Sequence, residues 1–350
     1  MVRMIPKGYQ FWTQKSDSLA IGEIVKMYES GFAGAWSDPD AKEALWSQVK
    51  AEGGFASGAD AAYFGNFAGS AAGQLVPTWM NVFKVFPGCW PGAAQERGDC
   101  VSHSQRNADL TTLACEIVAG KPDEVTGKVE GAPDVPAKGV SEGVLSSAYT
   151  YWWRGYNGDG WSCDSAASVT LKHGVLLMKP YADLGIDLTE YSGSIAGKYG
   201  SQSPPDKIET EGKLHLIRTC TEIGSFDEVR DFLANGFGIS TCGGEGWSGT
   251  RDENGFSRRQ GGWSHALAFI GADDRDVIKQ KYGEPLVLIQ NSWGNWNSGP
   301  TRVLGTNLDI PQGSFWAKWS DAKSRYIVAM AGVSGWARKS LPNWNLPAWG

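Results

Sequence analysis

The amino-acid sequence predicts an α+β protein in which helices come first along the chain and strands come afterwards. Two observations carry this prediction. Segments with apolar residues at helical spacing occupy the chain up to Gly236, and short apolar runs bounded by polar residues or Gly follow them. This order is typical of two segregated parts packed against each other. With 350 residues and 41% hydrophobic content, the chain is long enough for one large domain or two modest ones.

The first 85 residues form a unit apart from the rest of the sequence. Apolar spacing predicts helices over residues 19–28 and 40–51. The following stretch, 53–73, is rich in Gly and Ala with interleaved aromatic residues, and it fits either a pair of small-residue helices or an irregular loop. We therefore treat residues 1–85 as an N-terminal extension.

The middle of the chain contains the longest predicted helix, which begins at Cys100 and ends at Gly120. Further helices are predicted over residues 142–154 and 164–173. Lys, Pro, Gly and acidic residues predict exposed loops at 121–139 and 194–212.

A capping box marks the change to the strand-rich part. Ser225 and Glu228 have the S-x-x-E spacing of a helix start, and Gly236 closes that helix. Four strands are predicted after it, over residues 237–241, 265–272, 285–292 and 313–319.

Charge and hydropathy exclude several classes of protein. A net charge of −6 without a dense Lys/Arg block is not the electrostatic footprint of a nucleic-acid binder. The longest apolar runs are too short to span a bilayer, and the N-terminus lacks the apolar core of a secretory signal. We expect no nucleic-acid or membrane partner and a cytoplasmic or virion-associated protein. The 46 Gly and 17 Trp indicate either a loop-rich fold with aromatic plugs or a surface that packs into something larger.

The six cysteines are spread thinly and contain no C-x-x-C pair. Cys100 and His103 form a single C-x-x-H, which needs a second pair to make a zinc site. This pattern favours mostly free thiols in a reducing compartment and predicts no metal site.

Three residues have the types and order of a nucleophilic site. Cys100 opens a helix, where the positive potential of the helix N-terminus lowers a thiol pKa. His265 begins one apolar strand and Asn291 ends another. Each residue alone fits a buried structural role, but together they have the order of a nucleophile, a base and a residue that orients the base.

The segments around these residues resemble the papain-like cysteine peptidase family. They are QERGDCVSHSQRNA around Cys100, GGWSHALAFIGAD around His265 and LVLIQNSWGNWNSG around Asn291. The resemblance extends over about residues 86–335. It implies a papain-like two-subdomain fold, with a helical half, a β-barrel-like half and the active-site cleft between them. It also implies a divergent bacterial or phage-type member.

The resemblance assigns a role to each site residue. Cys100 would be the nucleophile, held as a thiolate against protonated His265, with Asn291 orienting the imidazole and Trp293 shielding that hydrogen bond. Gln95 would donate to the oxyanion hole, although it precedes Cys100 by five residues, one fewer than is usual in the family. No metal or organic cofactor is implied, because thiolate catalysis needs none.

A glycine-containing stretch stands where the family pairs with substrate. Gly158 and Gly160 would bind an extended peptide along the edge of a strand. An ordinary turn is the alternative interpretation.

Residues 1–85 are either an inhibitory pro-segment or an assembly arm, and residues 336–350 form a C-terminal tail. The leading function is thiol-dependent hydrolysis of peptide bonds in a peptide or protein substrate. The alternative is a structural or binding subunit of a larger assembly, for example a phage virion protein, that contacts other subunits through 1–85 and 336–350. Amide chemistry on a non-protein substrate such as cell-wall peptide would use the same residues.

Overall fold

The computed structural model of the protein describes residues 34–51, 68–118, 144–202 and 204–333. The predicted helix at 19–28, the loop at 121–139, most of the 53–73 stretch and the C-terminal tail lie outside the described residues. In the described residues the helices are α1 Pro39–Ala51, α2 Trp79–Val85, α3 Cys100–Val118, α4 Ser147–Trp152, α5 Cys163–His173, α6 Gly193–Gly200, α7 Asp206–Lys213, α8 Phe226–Ala234, α9 Asp276–Tyr282 and α10 Trp319–Ala322.

The strands in the same parts of the chain are β1 Ala35–Trp36, β2 Leu75–Val76, β3 Trp161–Ser162, β4 Pro180–Tyr181, β5 Ile186–Asp187, β6 Ile217–Glu222, β7 Gly238–Trp247, β8 Arg259–Asp273, β9 Leu286–Gln290, β10 Ser314–Lys318 and β11 Tyr326–Val333. The main sheet is antiparallel and has the order β10-β9-β8-β7-β11-β6. Its end strands β10 and β6 do not pair with each other in the described residues. β2 pairs with β8 at Ala272 and Asp273, beyond the last β7–β8 partner at Phe269.

The α+β prediction is confirmed: helices form one half and an open antiparallel sheet forms the other. The long helix α3 packs against β7, β8 and β11 and connects the two halves. A close backbone contact fixes this packing, because a Cβ on Gly238 would lie 1.9 Å from the Ala108 carbonyl oxygen. Only glycine fits at that position of β7.

Most predicted helices are confirmed with small shifts of their ends. The capping box is present, since Ser225 accepts from the Glu228 N–H and the Glu228 carboxylate accepts from the Ser225 N–H. The predicted loop at 194–212 is wrong, because this stretch contains α6 and α7. Ser192 caps α6 by accepting from the Ile195 N–H, and Pro205 precedes α7. Pro205, one of the loop signals in this stretch, therefore marks a helix start.

Two strands of the sheet, β6 and β11, were not predicted. β6 has the sequence IRTCTE, in which polar residues interrupt the apolar run. β11 lies between β6 and β7 and pairs with both. Their assignment as strands depends on this long-range pairing, which local sequence does not show.

None of the described helices is long and apolar enough to cross a bilayer.

Candidate active site

Cys100 is the first residue of α3, and its side chain is fully buried. The Asp99 carbonyl starts the helix by accepting from the backbone N–H groups of Ser102 at 3.1 Å and His103 at 3.2 Å. The Cys100 thiol therefore lies at the positive end of a 19-residue helix. This position favours the thiolate over the thiol.

A hydrogen bond holds α3 against the strand that carries His265. Ser104 lies one helical turn after Cys100 on the same face of α3, and its hydroxyl donates to the Leu267 carbonyl at 2.5 Å. Leu267 lies two residues after His265 on β8, and these two side chains face the same side of the strand. The hydrogen bond thus ties α3 to β8 at a point two residues from His265 on the strand and one helical turn from Cys100.

His265 and Asn291 form a buried hydrogen bond, with 2.8 Å between Nε2 and Oδ1. The backbone N–H of Ser292 also donates to Asn291 Oδ1 at 2.7 Å, which identifies that atom as the amide oxygen. Because an amide oxygen only accepts, His265 must donate from Nε2. In a neutral imidazole the lone pair is then on Nδ1, which is the nitrogen able to accept a proton.

Tryptophan side chains cover this hydrogen bond. The ring of Trp293 is stacked on His265 with centroids 4.5 Å apart, and Trp263 packs edge-on against both rings. Trp296 packs against Trp263 and Trp293 in turn. The cluster encloses the buried His265–Asn291 bond and accounts for part of the unusual Trp content.

Burial controls the protonation of the imidazole in this closed state. It lowers the pKa of His265 to about 3, and the positive charges of Arg325 and His103 act in the same direction while the Asn291 hydrogen bond opposes them. The resemblance implied a protonated His265, whereas burial here favours the neutral base.

Gln95 is buried beside Asn291. Its backbone N–H donates to the Ser292 carbonyl at 2.7 Å, its side-chain oxygen accepts from the Ser292 hydroxyl, and its Nε2 donates to the Arg97 carbonyl at 2.8 Å. The structure therefore brings Gln95 together with the Asn291–Ser292 turn.

The N-terminal segment occupies the gap in front of these residues. β1 pairs in parallel with β3, and the Trp161 N–H donates to the Gly34 carbonyl at 3.1 Å. On the opposite side, the hydroxyl of Ser264 donates to the Ala35 carbonyl at 2.9 Å. Ser264 directly precedes His265, so β1 lies between β3 and the strand that carries the imidazole.

Gly158 and Gly160 border this strand edge. Both have positive φ, and the backbone of Gly160 is bonded within the protein: its N–H donates to Gly98, and its carbonyl accepts from Arg154 and Tyr156. The neighbouring Trp161 supplies the donor to β1. A peptide in the place of β1 would lie against the Trp161 N–H and the Ser264 hydroxyl.

A disulfide joins the two walls of the same gap. Cys163 begins α5 directly after β3, and Cys242 lies on β7 opposite Ala266, the residue after His265. The prediction of mostly free thiols is wrong for this pair, because residues 79 apart in sequence are brought together only by the fold. The four remaining cysteines form no disulfide in the described residues; they are Cys89, Cys100, Cys115 and Cys220.

Several residues around the site were not identified as site residues from the sequence. Ser292 follows Asn291, and its position next to the NSWG motif was the one available signal. Ser104 and Ser264 hold the helix and β1 against β8, and Arg325 and Glu245 form an ion pair below His265. Their roles depend on strand pairing, so no local pattern identifies them.

The chain matches none of the protein-family models and none of the curated proteins against which it was compared. In structure it is similar to xylellain, a cysteine protease from Xylella fastidiosa, with 16% sequence identity over 70% of this chain and 84% of that chain and a TM-score of 0.43. It is also similar to the proform of Amb a 11, a cysteine protease and ragweed pollen allergen, with 15% identity over 89% and 77% of the chains and a TM-score of 0.43.

A third similar structure is procathepsin B from Trypanosoma congolense, with 11% identity over 73% and 75% of the chains and a TM-score of 0.37. The chain thus resembles papain-like cysteine proteases. At these identities and TM-scores, the chemistry of the site has to follow from its own geometry.

Proposed function

We propose that this chain is a cysteine peptidase that hydrolyses peptide bonds through an acyl-enzyme on Cys100. The observation that carries the proposal is the buried His265–Asn291 hydrogen bond at 2.8 Å, on a strand to which α3, the helix that begins at Cys100, is hydrogen-bonded. It fixes the tautomer that leaves Nδ1 as the proton acceptor. A thiol, a base and an orienting amide then stand in the order that acyl transfer requires.

The reaction follows from these atoms. The Cys100 sulfur attacks the substrate carbonyl carbon as its proton passes to Nδ1 of His265. The tetrahedral oxyanion forms at the N-terminus of α3, where helix N–H groups and the Gln95 amide provide donors. The imidazolium then protonates the leaving amine, and water, deprotonated by His265, releases the acid product from the thioester.

The position of β1 supports an extended peptide as substrate. Trp161 and Ser264 present donors to two successive carbonyls of β1, Gly34 and Ala35. A substrate strand placed there would be held through its backbone, with its scissile bond close to Cys100.

The same observation makes the N-terminal segment an inhibitory pro-segment in this proposal. Asp164 holds the segment after β1 by accepting from the Ser37 hydroxyl and the Asp38 N–H, both at 2.9 Å. Leu45 and Val49 of α1 are buried, and α1 packs against α5. A chain that fills its own substrate groove is latent until this segment is displaced.

Alkylation by a small thiol reagent, mapped by mass spectrometry over the four cysteines outside the disulfide, tests the assignment of Cys100. At about pH 6 an ordinary thiol is almost entirely protonated, and burial raises the pKa of Cys89 and Cys115 to about 12, which makes them internal references. We expect Cys100 to be labelled at least about tenfold faster than these two thiols.

The labelling rate should fall in His265→Ala and stay unchanged in His173→Ala. His173 is the matched control, since it stacks on Trp153 and pairs with Glu209 at 2.9 Å in the helical half. Equal labelling of Cys100 and Cys89, or the same labelling in wild type and His265→Ala, would contradict the proposal. Such a result would favour a structural subunit.

A further inference from the structure

A buried ion pair lies directly below the candidate site. The guanidinium of Arg325 has no solvent exposure, and it lies 3.1 Å from the carboxylate of Glu245 on β7. Its Nε donates to the Thr241 hydroxyl at 3.0 Å and its Nη2 to the carbonyl of His265 at 2.5 Å. A fully buried cation of this kind is costly unless its charge is used or fully compensated.

The contact with His265 is the feature that connects this pair with the chemistry. Arg325 precedes β11, whose Tyr326 pairs with Cys242 of β7, while His265 on β8 pairs with the next β7 residue, Gly243. The arginine side chain thus crosses below β7 to the backbone of the strand that carries the imidazole. A Cβ on Gly243 would lie 2.8 Å from Arg325 Cγ, so the glycine leaves room for this crossing.

The two ends of the ion pair are not equivalent. The Glu245 side chain is 10% exposed and also accepts from the Ser324 hydroxyl at 2.5 Å, whereas Arg325 is completely enclosed. The negative charge of Glu245 is stabilised by solvent and by the Ser324 hydroxyl, whereas the positive charge of Arg325 is enclosed by the protein.

We infer that Arg325 is a positioning residue of the candidate site: it holds the His265 backbone and supplies a buried positive charge that stabilises the Cys100 thiolate. The inference rests on the proposed function.

Electrostatics agree with this geometry. Burial lowers the pKa of Arg325 to about 10, and the negative charges of Glu245 and Cys100 act against that shift. Arg325 in turn contributes to lowering the pKa of His265. The positive charge of Arg325 thus favours the Cys100 thiolate and disfavours the protonated form of His265.

Other charged groups around the thiol act in defined directions. Asp99 precedes Cys100, but its carboxylate accepts from the Tyr191 hydroxyl at 2.8 Å and lies 3.6 Å from Nε2 of His103. These contacts direct it toward the helical half. The groups that a titration of Cys100 has to account for are Asp99 and His103 at the start of α3, His265 on β8, Glu245 on β7 and Arg325 before β11.

The test is a pH titration of the ultraviolet thiolate absorbance of the full-length protein, taken as the difference from the same protein carrying Cys100→Ala. This signal needs no reagent to enter the site. In Arg325→Met, which keeps the length of the side chain and removes its charge, we expect the Cys100 midpoint to rise by about one pH unit, so that about tenfold less thiolate is present on the acid side.

Arg251→Met is the matched control. Arg251 is another buried arginine that holds backbone carbonyls, those of Ser314 at 2.9 Å and Gly299 at 2.8 Å, but it has no contact with His265 among the described hydrogen bonds. We expect it to destabilise the fold without moving the Cys100 midpoint. A merely structural role of Arg325 would make the two variants behave alike.

Glu245→Gln gives a second test of opposite sign. Removing the compensating negative charge should lower the Cys100 midpoint, and this result is informative even where Arg325→Met does not fold. Midpoints equal to wild type in Arg325→Met, or in Glu245→Gln if only that variant folds, would overturn the inference. Alkylation of wild-type Cys100 at the rate of Cys89 would contradict the proposed function, whereas equal midpoints together with fast Cys100 alkylation would contradict only the inference.

Discussion

Two stretches of the first 85 residues contact the rest of the molecule in different ways. Residues 34–51 cross the front of the site, where β1 is held by single hydrogen bonds to Trp161 and Ser264. Residues 68–86 are built into the sheet half. β2 pairs with the end of β8 that extends past β7, and the carboxylate of Asp231 accepts from the Gly69 and Ala71 N–H groups.

The difference teaches that the N-terminal extension has two roles. The second stretch buries Trp79, Val82 and Phe86 completely and contributes to the core. In the proposed function, the first stretch covers the groove that the substrate would occupy. We therefore expect the first stretch to be separable from the domain and the second to be required for folding.

The largest expected effect is at the integrated stretch. Trp79 is fully buried, packs edge-on against Trp316 with centroids 5.8 Å apart, and donates from Nε1 to the Asp309 carbonyl at 3.0 Å. Trp79→Ala should lower the free energy of unfolding by about 3–5 kcal/mol, because it leaves a large cavity. Chemical denaturation of both proteins measures the change.

Lys84→Ala, on the exposed side of the same helix, is the control and should change stability by less than about 0.5 kcal/mol. If Trp79→Ala unfolds like wild type, residues 68–86 are as peripheral as β1, and the comparison breaks down.

An intermediate effect is expected at the disulfide between the walls of the groove. The Cys163–Cys242 bond closes a loop of 79 residues, and its removal should cost about 2–4 kcal/mol. The double variant Cys163→Ser and Cys242→Ser should therefore unfold at lower denaturant concentration than oxidised wild type.

A reducing agent provides the matched comparison. It should lower the stability of wild type toward that of the double variant and leave the variant itself unchanged. Equal sensitivity of the two proteins would mean that the stabilisation comes from another source than this bond.

The sequence predicted the parts of the site that lie in continuous segments. Cys100, His265 and Asn291 each stand in a short motif with a clear element type, and the structure brings their segments together. The capping box at Ser225 and Glu228 is likewise a local signal. Such features depend on residues within one turn or one strand, so they can be inferred without knowing the fold.

The remaining features depend on contacts between distant segments. Arg325 reaches His265 only because β11 lies beside β7, and Cys163 meets Cys242 only across the groove. The occupation of that groove by β1 requires pairing between residues 35 and 161. Local sequence contains no information on such pairings, which is why the sequence left the role of residues 1–85 open between a pro-segment and an assembly arm.

The smallest expected effect concerns the hydrogen bond between Ser264 and β1. Ser264→Ala removes the hydroxyl that donates to the Ala35 carbonyl, a loss of about 1 kcal/mol, and the open population of the groove should rise about fivefold. The rate of Cys100 alkylation by a small reagent, measured at a pH where the thiol is fully ionised, should rise by the same factor, because at that pH the rate reports access alone. The free energy of global unfolding should stay nearly constant, since the bond holds β1 and does not contribute to the core.

Ser201→Ala is the control, because among the described hydrogen bonds its hydroxyl donates to the Lys198 carbonyl in its own turn. Faster labelling in Ser264→Ala alone would establish β1 as the element that closes the groove. Equal rates in both variants would mean that access to Cys100 is controlled elsewhere, and the distinction between a separable and an integrated stretch would then apply to stability but not to function.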